Sequence, residues 1–167
     1  MKLATLFAEQ LDLEAELTRR ALELVPPGQN DWKPHPKSMS LGVLAHLVAT
    51  MPSWVGMIVK QDEIDIQPPE GGGGPRTFAS TKELIEAHDK AVADSRKAVA
   101  KATDKFLQTP WKLLAGGQLM QEKARYLWIL ENFKHLAHHR GQLTVYLRMT
   151  EEKVPAIYGP SADDQRF

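Results

Sequence analysis

Residues 123–149 read KARYLWILENFKHLAHHRGQLTVYLRM, and this stretch decides the fold. Its apolar residues recur at the spacing of an amphipathic helix, so the sequence predicts one long helix here. Three of the chain's six histidines fall in it, at positions 135, 138 and 139. His135 and His139 are four residues apart, so both imidazoles project from one helix face. A transition-metal ion is the first candidate for a shared ligand, because neutral imidazole binds Zn, Ni, Cu and Fe.

Three further segments show helical periodicity, from about Leu3 to Val25, from Ser38 to about Lys60, and from Ser80 to Phe106. Pro52 is expected to kink or break the second helix, because its ring collides with the carbonyl four residues earlier. Residues 80–83, STKE, form a capping box that opens the third helix.

Four amphipathic helices without a strong strand pattern predict an all-α four-helix bundle. A connection rich in glycine and proline, residues 67–79, would form a long crossover between the second and third helices. Gly116 and Gly117 separate two short apolar runs, where a small hairpin can form. We expect residues 1–167 to form a single domain that ends in an irregular tail over residues 150–167.

Composition narrows the classes of function. The formal net charge is zero, so no broad basic field is available for nucleic acid or anionic lipid. The chain has no cysteine, which excludes disulfides, thiolate metal sites and a cysteine nucleophile. Neither a signal-peptide pattern nor a run of about 18 apolar residues occurs, so we expect a cytoplasmic protein that binds neither membrane nor nucleic acid.

The face of the last helix that carries His135 is polar. Glu131, His139, Gln142 and Tyr146 all fall within roughly 60° of His135 at 100° per residue. Burying so many polar groups is costly unless they find partners, so we expect this stripe to face inward and line a polar cavity. Glu131, Gln142 and Tyr146 are the candidates for catalytic acid, base or hydrogen-bond donor.

His46, in the middle of the second helix, is the candidate for a third ligand. Three histidines with an open fourth position are typical of catalytic rather than structural zinc. The alternative is that His46 is a hydrogen-bonded core histidine and that the His135/His139 pair lies on a solvated face. We expect His138 to pack or to support the ligands, His88 to lie in the core, and Arg140 to lie at the surface or an interface.

Three segments resemble the DinB/YfiT-like superfamily of metal-dependent enzymes. They are SLGVLAHL at residues 40–47, HLAHHRGQL at residues 135–143, and VPAIYGPS at residues 154–161. The resemblance implies a four-helix bundle with a long crossover and a homodimer. It also implies a divalent metal, chiefly zinc or nickel, held by His46, His135 and His139.

Two hypotheses about function follow. In the first, the protein is a metal-dependent enzyme that acts on a small molecule. Some relatives in the resembling family are thiol-dependent S-transferases and others are inferred hydrolases, so the substrate can include a low-molecular-weight thiol. In the second, the protein is a non-catalytic stress-response protein that binds a metal or an apolar ligand.

Overall fold

The computed structural model describes residues 2–68 and 76–166. Its elements follow one another as α1 (Leu3–Leu22), α2 (Leu41–Thr50), α3 (Ser53–Lys60), β1 (Glu63–Asp65), α4 (Thr81–Val99), α5 (Asp104–Leu107), β2 (Pro110–Ala115), β3 (Gln118–Ala124) and α6 (Arg125–Met149). Most of the glycine-rich connection expected over residues 67–79 lies outside the described residues. Residues 150–166 contain neither a helix nor a strand.

The predicted break at Pro52 is confirmed. The second helical segment is divided into α2 and α3, whose axes differ by 48°. Ser40 caps α2, because its side chain accepts a hydrogen bond from the backbone of Val43. The bend directs α2 along the centre of α6 and directs α3 toward the small sheet. Both halves therefore contribute to one wall beside α6.

The capping box at the start of α4 is also confirmed. The Ser80 side chain accepts from the backbone N–H of Glu83, and the Glu83 carboxylate accepts from the backbone N–H of Ala79. The third helix is shorter than predicted, since α4 ends at Val99 and a separate short helix, α5, follows. Thr103 caps α5 with its side chain, which starts a new helix where the periodicity alone indicated a continuous one.

The hairpin around Gly116 and Gly117 is present and belongs to a three-stranded sheet of order β1-β2-β3. Both glycines have positive φ, +59° and +76°, as a two-residue turn of this kind requires. β1 adds to β2 in parallel, pairing Ile64 with Leu113. The expected all-α four-helix bundle is therefore confirmed only in part. The described residues contain six helices and a small sheet. The sequence did not predict the sheet because polar residues in the strands hid the strand pattern.

The core has two clusters. One gathers α2 and the leucines of α6, including Leu44, Leu136 and Leu143. The other joins α1, α3 and the sheet around Phe7 and Trp111. No single helix in residues 2–68 and 76–166 is long and apolar enough to cross a membrane. Only α2 and α3 taken together reach that length and composition, and they are bent.

Arg140 is buried, which corrects the surface position that we expected. Its guanidinium pairs with the buried carboxylate of Glu14 at 2.7 Å and donates to the Thr18 hydroxyl at 2.9 Å. The hydroxyl of Tyr158, from the C-terminal tail, donates to Glu14 at 2.8 Å. The buried charges of α1 and α6 are thus mutually satisfied, and the tail is fixed to both helices.

His88 is buried, as expected, where α1, α2 and α4 meet. Its Nδ1 lies 3.3 Å from the carbonyl oxygen of Ala49, and its Nε2 lies 3.1 Å from that of Ala15. Burial lowers the pKa of His88 below its ordinary value of 6.5, although the carbonyl oxygens of Ala15 and Ala49 and the nearby Asp89 oppose this. The neutral ring has one N–H and can donate to only one of the two carbonyl oxygens.

The first prediction concerns pH. The unfolded chain takes up a proton on His88 near its ordinary pKa of 6.5, whereas the folded chain resists it. The free energy of unfolding should therefore fall as the pH drops below about 6.5, by at most about 1.4 kcal/mol per pH unit from this group. His88→Gln should flatten the slope in urea unfolding between pH 7.5 and 5.5. The control, His35→Gln, alters an exposed loop histidine and should keep the wild-type slope. An unchanged slope in His88→Gln would refute the assignment.

The second prediction concerns the buried ion pair. Arg140→Met leaves the Glu14 carboxylate buried without its cation, so it should lower the free energy of unfolding by about 3–5 kcal/mol. Arg148→Met is the matched control on the same helix, because it removes an exposed pair with Asp163 and should cost less than about 1 kcal/mol. Chemical denaturation measures both. An equal loss of unfolding free energy in the two variants would contradict the stabilising role of Arg140.

Candidate functional site

A cavity of about 470 Å³ lies beside α6, between α2, α3 and the sheet. A volume in this range suits a small organic molecule. Its walls are apolar and its polar groups all come from one stretch of α6. The lining residues are Leu47, Met51, Trp54, Ile58, Ile66, Leu113 and Trp128, with Glu131, Asn132 and His135 at the polar end.

Two hydrogen bonds set the register of α2 against α6. The side-chain amide of Asn132 donates to the carbonyl oxygen of Met51 at 3.3 Å, at the C-terminal end of α2. The hydroxyl of Tyr146 donates to the carbonyl oxygen of Met39 at 3.3 Å, just before α2 begins. The two helices therefore run antiparallel in a fixed register, and the segment of α6 that carries the histidines lies opposite the second half of α2.

The structure brings His135 and His139 together. Their Nε2 atoms are 2.8 Å apart, and the Nδ1 of His139 lies 2.8 Å from Oε1 of Gln142. The Gln142 amide nitrogen is 3.1 Å from Nε2 of His138. With both rings neutral, His139 donates from Nδ1 to Gln142, so its Nε2 accepts from Nε2 of His135. This leaves Nδ1 of His135 unprotonated and able to accept a proton.

The ring of His135 is at the mouth of the cavity. Partial burial there lowers its pKa, and the neighbouring rings of His139 and His138 lower it further. The imidazole is consequently neutral near pH 7 and can act as a hydrogen-bond acceptor or a base.

His46 is half-buried on α2, where burial lowers its pKa, Arg76 lowers it further and Glu83 opposes them. Within residues 2–68 and 76–166, no group of three or more His, Cys, Asp or Glu side chains is arranged to hold a metal ion. The pair His135/His139 offers two converging nitrogens. The role of His46 as a ligand stays a prediction.

The three candidate catalytic residues have different surroundings. Glu131 lies at the cavity mouth, where its carboxylate pairs with Lys123. Gln142 contacts His139 and His138 and so fixes which ring nitrogens carry protons. Tyr146 packs edge-on against Trp32, with ring centroids 5.4 Å apart, and uses its hydroxyl on Met39. Its contacts hold the helix register rather than line the cavity.

The polar stripe of α6 does not face fully inward, which corrects that expectation. The buried side of α6 is formed by Ile129, Leu136, Leu143 and Leu147, and the histidine pair stands at its border, half-buried or exposed. The helix rotates this way because leucines gain more from burial than histidines do.

The sequence reasoning missed the apolar wall. The wall has a signal in the sequence, since Leu47, Met51, Trp54 and Ile58 follow one another at intervals of four, three and four residues. That spacing marks one continuous face across the bend at Pro52. Helical periodicity does place Asn132 on the polar stripe with His135, but it does not give its hydrogen-bond partner, the Met51 carbonyl.

The described residues form a mostly helical protein with a small three-stranded sheet and a pocket beside the last helix, where two histidines are paired. The sequence model of the DinB superfamily matches residues 10–143, and the chain belongs to that superfamily.

Individual proteins are similar to this chain in sequence or in fold. The uncharacterized protein YrdA of Bacillus subtilis strain 168 is 25% identical over 166 residues, which cover 95% of this chain and 89% of YrdA. The crystal structure of a DinB-like protein from Bacillus cereus ATCC 10987 has a similar fold, with a TM-score of 0.70 at 22% identity, covering 91% of this chain and 95% of that one. For the DinB-like protein YjoA of Bacillus subtilis the TM-score is 0.68 at 16% identity, with 96% and 99% covered.

Proposed function

We propose that the protein binds a small, predominantly apolar molecule in the cavity, with one polar group of that molecule meeting His135. The observation that carries this proposal is the cavity itself, about 470 Å³ with apolar walls and with Glu131, Asn132 and His135 of α6 as its polar lining. Such a site gains affinity from apolar burial and orientation from a few polar contacts. It corresponds to a ligand-binding protein, and the histidine pair gives it the means for acid–base chemistry.

Each polar residue near the cavity has a separate role. His135 accepts a hydrogen bond or a proton on Nδ1. His139 accepts from Nε2 of His135 and can take up that proton, so the positive charge is shared by two rings. Gln142 accepts from Nδ1 of His139 and supports its protonated form. Trp54 and Trp128 exclude water from the apolar part of the ligand.

The third prediction tests the cavity. Binding of 2-naphthol, a compact aromatic alcohol, should quench the fluorescence of Trp54 and Trp128 and saturate. Leu113→Trp fills the cavity from the sheet and should weaken binding by about tenfold or more, because the ligand loses apolar contact equivalent to about one buried side chain. Leu119→Trp is the matched control, because it adds the same side chain at an exposed position of the same hairpin.

Unchanged affinity in Leu113→Trp, or an equal loss in both variants, would show that 2-naphthol binds elsewhere. His135→Ala should weaken naphthol more than naphthalene, because only the alcohol has a group to hydrogen-bond to the ring.

A second candidate is a metal-dependent enzyme, such as a thiol-dependent S-transferase or a hydrolase. The convergence of His135 and His139 favours this candidate. Membership of the DinB superfamily favours it too, because the resemblance to that superfamily implies a divalent metal such as zinc or nickel. A bound divalent metal supplies Lewis acidity toward water, a thiol or a carbonyl oxygen. Two imidazoles alone leave the protein ligand set incomplete. A homodimer, implied by the same resemblance, stays a prediction.

The fourth prediction separates the two candidates. Protein purified without a metal-affinity tag is analysed for zinc and nickel, wild type beside His139→Ala. The metal-dependent candidate predicts about one metal per chain in the wild type and none in the variant. Metal absent from both, with no uptake on titration at about pH 7.5 where imidazole is neutral, eliminates that candidate and leaves ligand binding standing.

A further inference from the structure

We propose that Asp65 is a positioning residue for the cavity beside α6. Its carboxylate fastens the end of β1 to the turn between β2 and β3, and this attachment holds Ile66 in the wall of the cavity on the side of the sheet. The inference rests on the proposed function, because it concerns the same cavity. Asp65 itself does not line the cavity, so it would act on the ligand through the position of Ile66.

Ile66 is the part of the cavity wall that packing secures least. Among the apolar residues that line the cavity it is the most exposed, at 48%, so burial in the core contributes little to holding it. It directly follows β1, which has only three residues. A parallel pairing of this length is weak by itself. The position of Ile66 therefore depends on the hydrogen bonds at the end of β1.

The Asp65 carboxylate accepts hydrogen bonds from three backbone N–H groups. Oδ1 accepts from Gln67 at 2.8 Å and from Gly116 at 3.0 Å, and Oδ2 accepts from Gly117 at 2.6 Å. Both glycines belong to the turn between β2 and β3, so one side chain joins the end of β1 to that turn. Hydrogen bonds to an ionised acceptor are stronger than those between neutral groups.

The ionisation of Asp65 agrees with this role. Desolvation raises the pKa of Asp65, but the N–H groups of Gln67, Gly117 and Gly116 lower it by more, so the pKa lies below its ordinary value of 3.8. The side chain is therefore an anion at neutral pH. Replacing it with a neutral amide of nearly the same shape removes the charge and turns an N–H donor toward a backbone N–H group.

The start of β1 is fixed by a different residue. Arg125, which is buried, pairs with Asp62 just before the strand. After the strand, the backbone N–H of Ile66 donates to the carbonyl oxygen of Leu114 at 2.9 Å. Loss of the Asp65 attachment should therefore loosen Ile66 while the start of β1 keeps its place. The expected effect is local to one wall of the cavity.

Binding of 2-naphthol to the full-length protein, measured by tryptophan quenching, tests the inference. Asp65→Asn should weaken binding by about fivefold or more, because the ligand loses a fixed apolar contact. Glu63→Gln is the matched control, since it neutralises an exposed carboxylate on the same strand and should leave affinity within about twofold.

A double-mutant cycle shows whether Asp65 acts through Ile66. In an Ile66→Ala background, Asp65→Asn should change affinity by less than about twofold, because the side chain that it positions is absent. In a Leu47→Ala background the full loss should remain, since Leu47 belongs to the α2 wall. A merely structural role of Asp65 predicts the same loss in both backgrounds.

Amide hydrogen exchange without ligand separates this inference from the proposed function. In Asp65→Asn, the amide of Ile66 should exchange about tenfold or more faster than in the wild type, because local opening of this segment becomes easier. The amide of Leu143, in the core of α6, should keep its wild-type rate and so show that the fold is intact.

Two results would overturn the inference. One is an unchanged exchange rate at Ile66 in Asp65→Asn. The other is an equal loss of 2-naphthol affinity from Asp65→Asn with and without Ile66→Ala. Absence of saturable 2-naphthol binding in the wild type would count against the proposed function instead, and the exchange rate at Ile66 would then decide by itself whether Asp65 holds this wall.

Discussion

The antiparallel packing of α2 on α6 is the constraint on which the rest of this structure depends. Leu44, Leu136 and Leu143 supply the apolar contact, and the hydrogen bonds from Asn132 and Tyr146 to backbone carbonyls of the α2 segment fix the register. Apolar contact alone would tolerate a shift along the helix, whereas a buried amide without its acceptor would cost about 1–3 kcal/mol. The register therefore decides which part of α2 lies opposite the histidine pair.

The opposite side of α6 is anchored independently, and this leaves the histidine face free. The buried pair of Arg140 and Glu14, with Tyr158 from the tail, fastens α6 to α1. The bend at Pro52 and the sheet then enclose the space beside the free face. The result is a cavity whose apolar walls come from several elements and whose polar end comes from α6 alone. A division of this kind suits binding by apolar burial, with chemistry confined to one end.

The sequence predicted what local rules control. Pro52 as a helix break, the capping box at Ser80 and the glycine hairpin all follow from neighbours in the chain, as does the His135/His139 pair. The parallel strand β1 did not, because it depends on a distant partner, and the short helix after Val99 begins at the Thr103 cap, which helical periodicity alone does not reveal.

Arg140 shows a second reason why the sequence falls short. Helical periodicity gives the angle between residues of one helix but not which angle faces the core. Arg140 was expected at the surface or an interface because it points away from the histidine stripe, and the partner that allows its burial, Glu14, lies on another helix. The most direct test of this account is a crystal structure of the protein grown in the presence of zinc. It predicts that any zinc ion at this site contacts Nε2 of His135 and of His139. An ion bound elsewhere, with neither of these nitrogens as a ligand, would contradict it.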